Sequence, residues 1–526
     1  MPYIGTSAGN NFKTTIKQSF SGDNSTTAFT LTRAAGSATD LEVFVDNIQQ
    51  EPTAAYTVSS TTLTFTEAPP TGTNNVYVIH RGGDQNGVLP PQDLGTTDYI
   101  FGDDISFNSD GAVINMGADS EVKLTHVHNS GVTLTGGSYQ TTTSGTSNFR
   151  AGVNAGDSIA SGGNYNVLVG DEAGTSITTG DGNVAIGYTA LDAEDEHGFN
   201  VAIGYLALTN QNAGANAFNV AVGASSGAAV TTGTNNVLLG TSTGERITTG
   251  EKNVAIGSAA LDHLTDADNN VAVGHNALTA DVMGSKSTAI GYQTLQAQTY
   301  STATETHNTA VGHEAGLSVT TGINNTLVGS GAGDAITTSS YNTAIGGFAL
   351  TGDDVGSKTT AIGWGALQAQ NYSTATDSLN VAVGYNAAAS VNTGTQGVFI
   401  GAHAADAVTT GTYNVAVGTY ALTDETTGQR TTAIGYGALS SQNFTTSQIS
   451  YNTAVGYNAG AAIGTGQSNT LVGYGAGDAI TSGFANTAVG SAAFSTEDTG
   501  RYNVAIGAGA LENQNNDVDN YNIAVG

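Results

Sequence analysis

From Asn166 to Gly526 the apolar and polar positions fall into one five-residue phrase, written twenty-one times. A polar residue comes first, then Val or Thr, a small apolar residue, Ile or Val, and Gly; the copies run from NVLVG at Asn166 to NIAVG at Asn522. Successive phrases begin mostly 17 residues apart, sometimes 19 or 21. A fixed period of this length marks stacked supersecondary units, and a short strand ending in Gly predicts the coil of a β-solenoid. The fifth position is Gly in all twenty-one copies, as expected where the chain turns with φ > 0 and a Cβ would clash. The fourth position is Ile or Val except at Leu239, and the third is Ala except at Leu168, Leu238, Leu327, Phe399 and Leu471. Alternate residues of a strand face opposite sides, so both faces are apolar. One face is expected to fill the coil's interior and the other to meet a neighbouring chain. A 17-residue coil encloses little core of its own, which also favours an oligomer. The first position is Asn in seventeen copies, the exceptions being Ser287, Thr359, Gly397 and Thr431. Two readings stand: a hydrogen-bonded Asn column and turn-forming Asn.

A longer period lies over the first. Wider coils open at Asn200, Ser287, Thr359, Thr431 and Asn503, the last four spaced 72 residues apart. Their sequences correspond, as in STAIGYQTLQAQTYSTATETH from Ser287 and TTAIGWGALQAQNYSTATDSL from Thr359. Each longer loop places an aromatic residue at an equivalent point: Tyr300, Tyr372 and Phe444. These are expected to protrude as collars along a shaft and are the receptor-facing candidates; the other reading is duplication of a 72-residue block without a loop function.

Residues 1–150 differ. Between residues 19 and 82, strand-like segments such as LEVFVDNIQQEP and NVYVIHRG alternate with turn signals at Asp46–Asn47 and Pro69–Gly72. The organisation read is a small antiparallel β-domain over residues 1–85, a linker over 86–100 stiffened by Pro90 and Pro91, a β neck over 101–150 and the solenoid over 151–526. The fold class is all-β.

Charged residues make up 10% of the chain and Gly 72 of 526 positions, yet the strict period separates this composition from disorder. The net charge of −31 argues against nucleic acid and anionic membranes as partners. With no Cys, neither disulfides nor Cys-ligated metal contribute. No export signal and no apolar run long enough to cross a bilayer is evident, so synthesis in a cytoplasm without membrane insertion is expected.

The segment FTLTRAAGSATDLEVFVDNIQQEPTAAYTVSSTTLTFTEAPPTGTNNVYVIHRG resembles the amino-terminal domain of tail-fibre proteins from marine tailed phages, cyanophages included. SEVKLTHVHNSGVTLTG is similar to the segment that often follows it, and the likeness spans roughly residues 15–135. Phrases such as NTAVGYNAG at Asn452 also resemble phage-fibre repeats and, more loosely, the head repeats of trimeric autotransporter adhesins. Those adhesins use a shorter repeat, an export signal and a carboxy-terminal anchor. The resemblance implies a homotrimeric virion fibre whose residues 1–85 attach to tail or adaptor proteins, with the distal part meeting a host-surface receptor. Because Gly526 falls on the last residue of a phrase, a distal tip or chaperone domain is expected beyond it.

Little catalytic chemistry is legible. Gly223–Gly227 matches G-x-S-x-G, but Ser225 falls in a coil turn and not a strand-to-helix elbow. Gly473, Gly475 and Gly477 read as turn glycines. The acidic run Asp192, Glu194, Asp195 and Glu196 could hold Ca²⁺ or supply a glycosidase pair, against the alternative of a solvated loop. His126 and His128, two apart, share a face if their segment is a strand; around a trimer axis six imidazoles would suit a transition metal, the one cofactor considered. The expectation is a non-enzymatic tail fibre of a virion. A virion-borne polysaccharide depolymerase and a bacterial surface adhesin are the alternatives.

Overall fold

The computed structural model describes residues 17–81, 113–116, 122–127, 131–135, 143–515 and 519–526. The chain divides into two units, Met1–Ala112 and Val113–Gly526. Among the described residues every element is a β-strand apart from a single 3₁₀ turn at Ala38–Asp40.

In the first unit six strands alternate with tight turns: β1 Lys17–Gly22, β2 Ala28–Ala35, β3 Leu41–Val45, β4 Ile48–Gln49, β5 Tyr56–Phe65 and β6 Gly72–His80. An antiparallel sheet runs β1-β6-β3-β4, and β2 pairs with β5. Phe29, Leu31, Leu41, Val43, Leu63, Val76 and Val78 form one buried cluster beneath them. The β3–β4 turn uses Asp46 and Asn47, both left-handed (φ 49° and 66°), as two-residue hairpins require. Tyr56 is fully buried, its hydroxyl within reach of the Ala38 and Leu41 carbonyls at 3.0 and 2.9 Å.

The second unit opens with an antiparallel meander, β7 Val113–Met116, β8 Val122–Val127 and β9 Gly131–Thr135. It continues as a β-solenoid whose three-residue strands stack into one 22-stranded sheet. Every pairing in that sheet is parallel and in register, phrase on phrase: Val167, Leu168 and Val169 lie opposite Val184, Ala185 and Ile186. The first strand, β10 Phe149–Ala151, belongs to a twenty-second copy of the phrase, NFRAG, in the segment assigned by sequence to the neck. Arg150 in place of the small third residue hides that copy from a pattern search.

The interior is thin and continuous. The third residue of the phrase points inward, and its Ala or Leu joins a chain of Leu, Ile, Val and Ala side chains reaching from Ala155 to Ala510. The first residue points inward too. Its Oδ1 accepts the backbone N–H of the next copy, as in Asn183 to Asn166 at 2.8 Å, while its Nδ2 donates to a carbonyl, as in Asn166 to Gly180 at 2.8 Å. In part of the rod a side chain-to-side chain bond is added, Asn486 Nδ2 donating to Asn469 Oδ1 at 3.2 Å. The Asn residues therefore form a buried column that satisfies backbone groups a globular core could not reach.

The phrase-ending Gly has φ between 124° and 148°, and a Cβ on Gly274 would sit 2.2 Å from the carbonyl oxygen of Gly291 in the next coil. Beyond this Gly, each coil bends at further left-handed positions that the sequence did not announce. In one coil these are Tyr341, Phe348 and Leu350, with φ of 64°, 56° and 56°. Such a conformation costs a side chain-bearing residue roughly 1–2 kcal/mol. Here it is offset because each of these N–H groups donates to an adjacent coil, to Ile323, Ser330 and Ala366 at 3.0, 2.9 and 3.0 Å.

Candidate functional site

The second and fourth residues of every phrase face away from the interior. They form a stripe of Val, Thr and Ile on the outer face of the 22-stranded sheet. These side chains stay partly open to solvent: Ile290, Ile400 and Ile506 are each 39% exposed. Residues adjoining the strands add aromatic columns. Before the phrase stand Phe199 and Phe218, stacked 5.6 Å apart, and Tyr502 and Tyr521, stacked at 4.9 Å. After the Gly, Trp364 stacks on Tyr385 at 5.3 Å, and Tyr436, Tyr457 and Tyr474 follow at 5.2 and 5.4 Å. At about 4.8 Å per strand and five residues across, the stripe covers on the order of 1,500 Å². Ordinary monomers rarely show apolar patches beyond a few hundred Å². This partly exposed, largely apolar face runs the length of the 22-stranded sheet. The alternation within the five-residue phrase predicts an apolar outer face, whereas the aromatic columns emerge only when the coils are stacked.

Tyr300, Tyr372 and Phe444, expected to protrude, do not. They are buried (7%, 5% and 2% exposed), and the Tyr300 and Tyr372 hydroxyls donate to the Gly322 and Gly394 carbonyls at 2.8 and 2.7 Å. A coil widened by four residues encloses more space, and the aromatic ring fills it. The strand pairs Gly284–Ser285 with Thr304–Glu305 and Gly356–Ser357 with Thr376–Asp377 tie two of the longer loops back to the rod.

A buried polar layer accompanies each wide coil. Ordinary coils place Ile, Val or Leu seven residues after the phrase Gly, as at Ile177, Val230 and Leu264. In the coil preceding each wide one that position is acidic: Glu194, Asp281, Asp353, Glu425 and Glu497, all without solvent exposure. In the wide coil it is Gln. Gln298 Nε2 donates to Asp281 Oδ2 at 2.6 Å and to Ser287 Oγ at 2.8 Å, and its Oε1 accepts from Asn308 Nδ2 at 2.8 Å. Gln370 and Gln442 make the same bonds to Asp353 and Glu425, at 2.5 and 2.8 Å. The layer also accounts for Ser287, Thr359 and Thr431 at the first phrase position: their short hydroxyls leave room for the Gln amide, which donates to each. Burial raises the carboxyl of Asp281 to about 6 and that of Asp353 in the same direction, against the Gln and backbone donors that pull them down.

The acidic run at residues 192–196 is not simply a solvated loop. Glu194 is fully buried, and burial lifts its carboxyl to about 7. With Asp195 and His197 it forms a cluster whose ligand-capable atoms all lie within 4.8 Å of one another. Ser225 sits at a left-handed coil turn with φ 55°, where it has no helix behind it. His126 lies in β8, opposite Val132, whereas His128 lies outside the described residues. No helix among the described residues is long and apolar enough to cross a membrane. No protein-family model, no curated protein and no solved structure matches the chain.

Proposed function

We propose that this chain is a structural fibre protein, the tail fibre of a virion, whose solenoid associates with two further copies through the outer face of its sheet. Residues 1–85 would dock on tail or adaptor proteins, and the shaft would carry a host-contacting end outward. The observation that carries the reading is the largely apolar stripe of Val, Thr and Ile that runs over 22 in-register strands. At on the order of 1,500 Å² it is well above the roughly 800 Å² per partner of a standard stable interface. Parallel ladders continuous along a shaft leave backbone edges only at its ends, which suits a part that must resist bending and proteolysis. The stoichiometry of three, the virion and the tail partner rest on the resemblance of residues 15–135 and of the repeats to phage fibres.

Light scattering on a sizing column tests it. An elongated particle of three times 52.7 kDa is expected. A monodisperse monomer at micromolar concentration would overturn the fibre reading, because the stripe would then be a tolerated solvent face.

A further inference from the structure

We propose that Glu194, Asp195 and His197 bind a divalent transition cation of the Zn²⁺ class, one position of which is left to water. The argument is internal to the molecule, because the same position is built five times. Asp281, Asp353, Glu425 and Glu497 are each followed three residues later by Gly, whose N–H donates to the carboxylate at 2.9, 2.8, 2.6 and 2.7 Å. No side chain fits there: a Cβ on Gly284 would lie 2.4 Å from Asp281 Oδ2, and one on Gly356 2.2 Å from Asp353 Oδ2. In the Glu194 coil that Gly is replaced by His197.

The consequences point to a missing ion. In the other four coils the Gln of the next coil donates to the carboxylate, at 2.6, 2.5, 2.8 and 3.3 Å. Gln211 holds the equivalent place and is wholly buried, and its Oε1 accepts from Asn219 Nδ2 at 2.7 Å, as Gln298 Oε1 does from Asn308; yet its Nε2 has no partner. Glu194 has no bond from Gln211; it accepts the His197 N–H at 3.2 Å and a long contact from Asn200 Nδ2 at 3.4 Å, with the Asp195 backbone also donating to it. His197 Nδ1 is buried and unpartnered as well, 3.8 Å from Glu194 Oε1, too far for a hydrogen bond. A cation takes the Nδ1 lone pair and one oxygen from each carboxylate, and its bound water supplies the acceptor that Gln211 Nε2 lacks. One imidazole and two carboxylates are a donor set that favours Zn²⁺ over Ca²⁺ or Mg²⁺. The turn is held for it: the Asp195 carbonyl accepts Thr178 N–H at 2.7 Å, and the His197 carbonyl accepts Asn183 Nδ2 at 3.1 Å. About a quarter of the His197 side chain is exposed, which leaves a way in.

The test is calorimetric titration of Zn²⁺ into the chelator-treated full chain, comparing wild type with His197→Gly and Glu194→Gln. His197→Gly restores the arrangement of the other four coils, so it should keep the fold, checked by circular dichroism. The expected result is one Zn²⁺ fewer per chain in His197→Gly and a loss of affinity of at least about tenfold in Glu194→Gln. Zn²⁺ should also raise the melting temperature of the wild type and not that of His197→Gly. Eight further histidines can bind Zn²⁺ weakly, so equal stoichiometry and affinity in wild type and His197→Gly would overturn the site. So would a wild-type chain that binds no Zn²⁺ at micromolar concentration, a result that assigns the gap to a buried water.

Discussion

The phrase-ending Gly and the buried Asn do different work at the scale of single residues. A Cβ on Gly274 meets backbone of the next coil, which cannot swing aside as a side chain could. Gly274→Ala should therefore destabilise the rod by several kcal/mol, on the order of the larger single-substitution effects. Gly214, whose Cβ would meet nothing within 4 Å, is the control, and Gly214→Ala should be neutral or slightly stabilising. Urea denaturation of the two variants makes the comparison. Asn469 accepts the Asn486 N–H at 3.0 Å and donates to the Gly483 carbonyl at 2.9 Å, all of it buried. Asn469→Ala leaves both groups unpaired, at about 1–3 kcal/mol each, and should lower the unfolding midpoint accordingly.

A wide coil is a larger cross-section that needs a larger filler, and its polar lining is a consequence of its length. Tyr300→Phe should cost about 1 kcal/mol through the hydroxyl bond to Gly322, whereas Tyr300→Ala should cost about 3–5 kcal/mol by opening a cavity. Buried Asp281 and Asp353 bring a pH dependence whose sign follows from their raised values. Between the unfolded carboxylate range near 4 and the folded value of about 6 for Asp281, the folded chain holds more protons than the unfolded one. Their contribution is fully present below about 4 and is lost as pH rises through about 6. Wild type should thus be harder to denature at pH 5 than at pH 8, and the double variant Asp281→Asn, Asp353→Asn should reduce the difference, leaving the part due to Glu194, whose carboxyl burial lifts to about 7. Equal pH dependence in the two chains would remove these acids as its source.

Charge and the apolar stripe act on the chain taken whole. With a net charge of −31 per chain, association through the stripe works against repulsion that salt screens. Association should therefore tighten with ionic strength, the reverse of a contact built on opposite charges. The pair Ile290→Asp, Ile345→Asp places two carboxylates on the outer face of the sheet, where both native side chains are more than a third exposed. Light scattering should then report dissociation while the far-ultraviolet spectrum of the solenoid is retained. Loss of the spectrum together with the oligomer would mean that the face is needed for folding of the single chain.

The period of 17, the two opposed apolar faces, the left-handed Gly that ends each phrase and the hairpin at Asp46–Asn47 could be read from the chain because each depends on local spacing or on φ alone, whereas which face turns inward is decided by the coil. The Asn column was open between two readings, since a turn and a ladder leave the same residue at the same place; only the stacked coils show which carbonyl and which N–H it meets. Tyr300 was misjudged for a related reason. A longer loop looks like an excursion in sequence, but whether it bulges outward or widens the coil depends on the space its neighbours enclose. The left-handed Tyr, Phe and Leu residues were equally silent, as their cost is offset by bonds to other coils. Most hidden of all was the equivalence of Glu194 with Asp281, Asp353, Glu425 and Glu497. The first lies outside the 72-residue spacing, and it takes the three-dimensional stack, in which residues 17 apart become neighbours, to set His197 where four glycines stand.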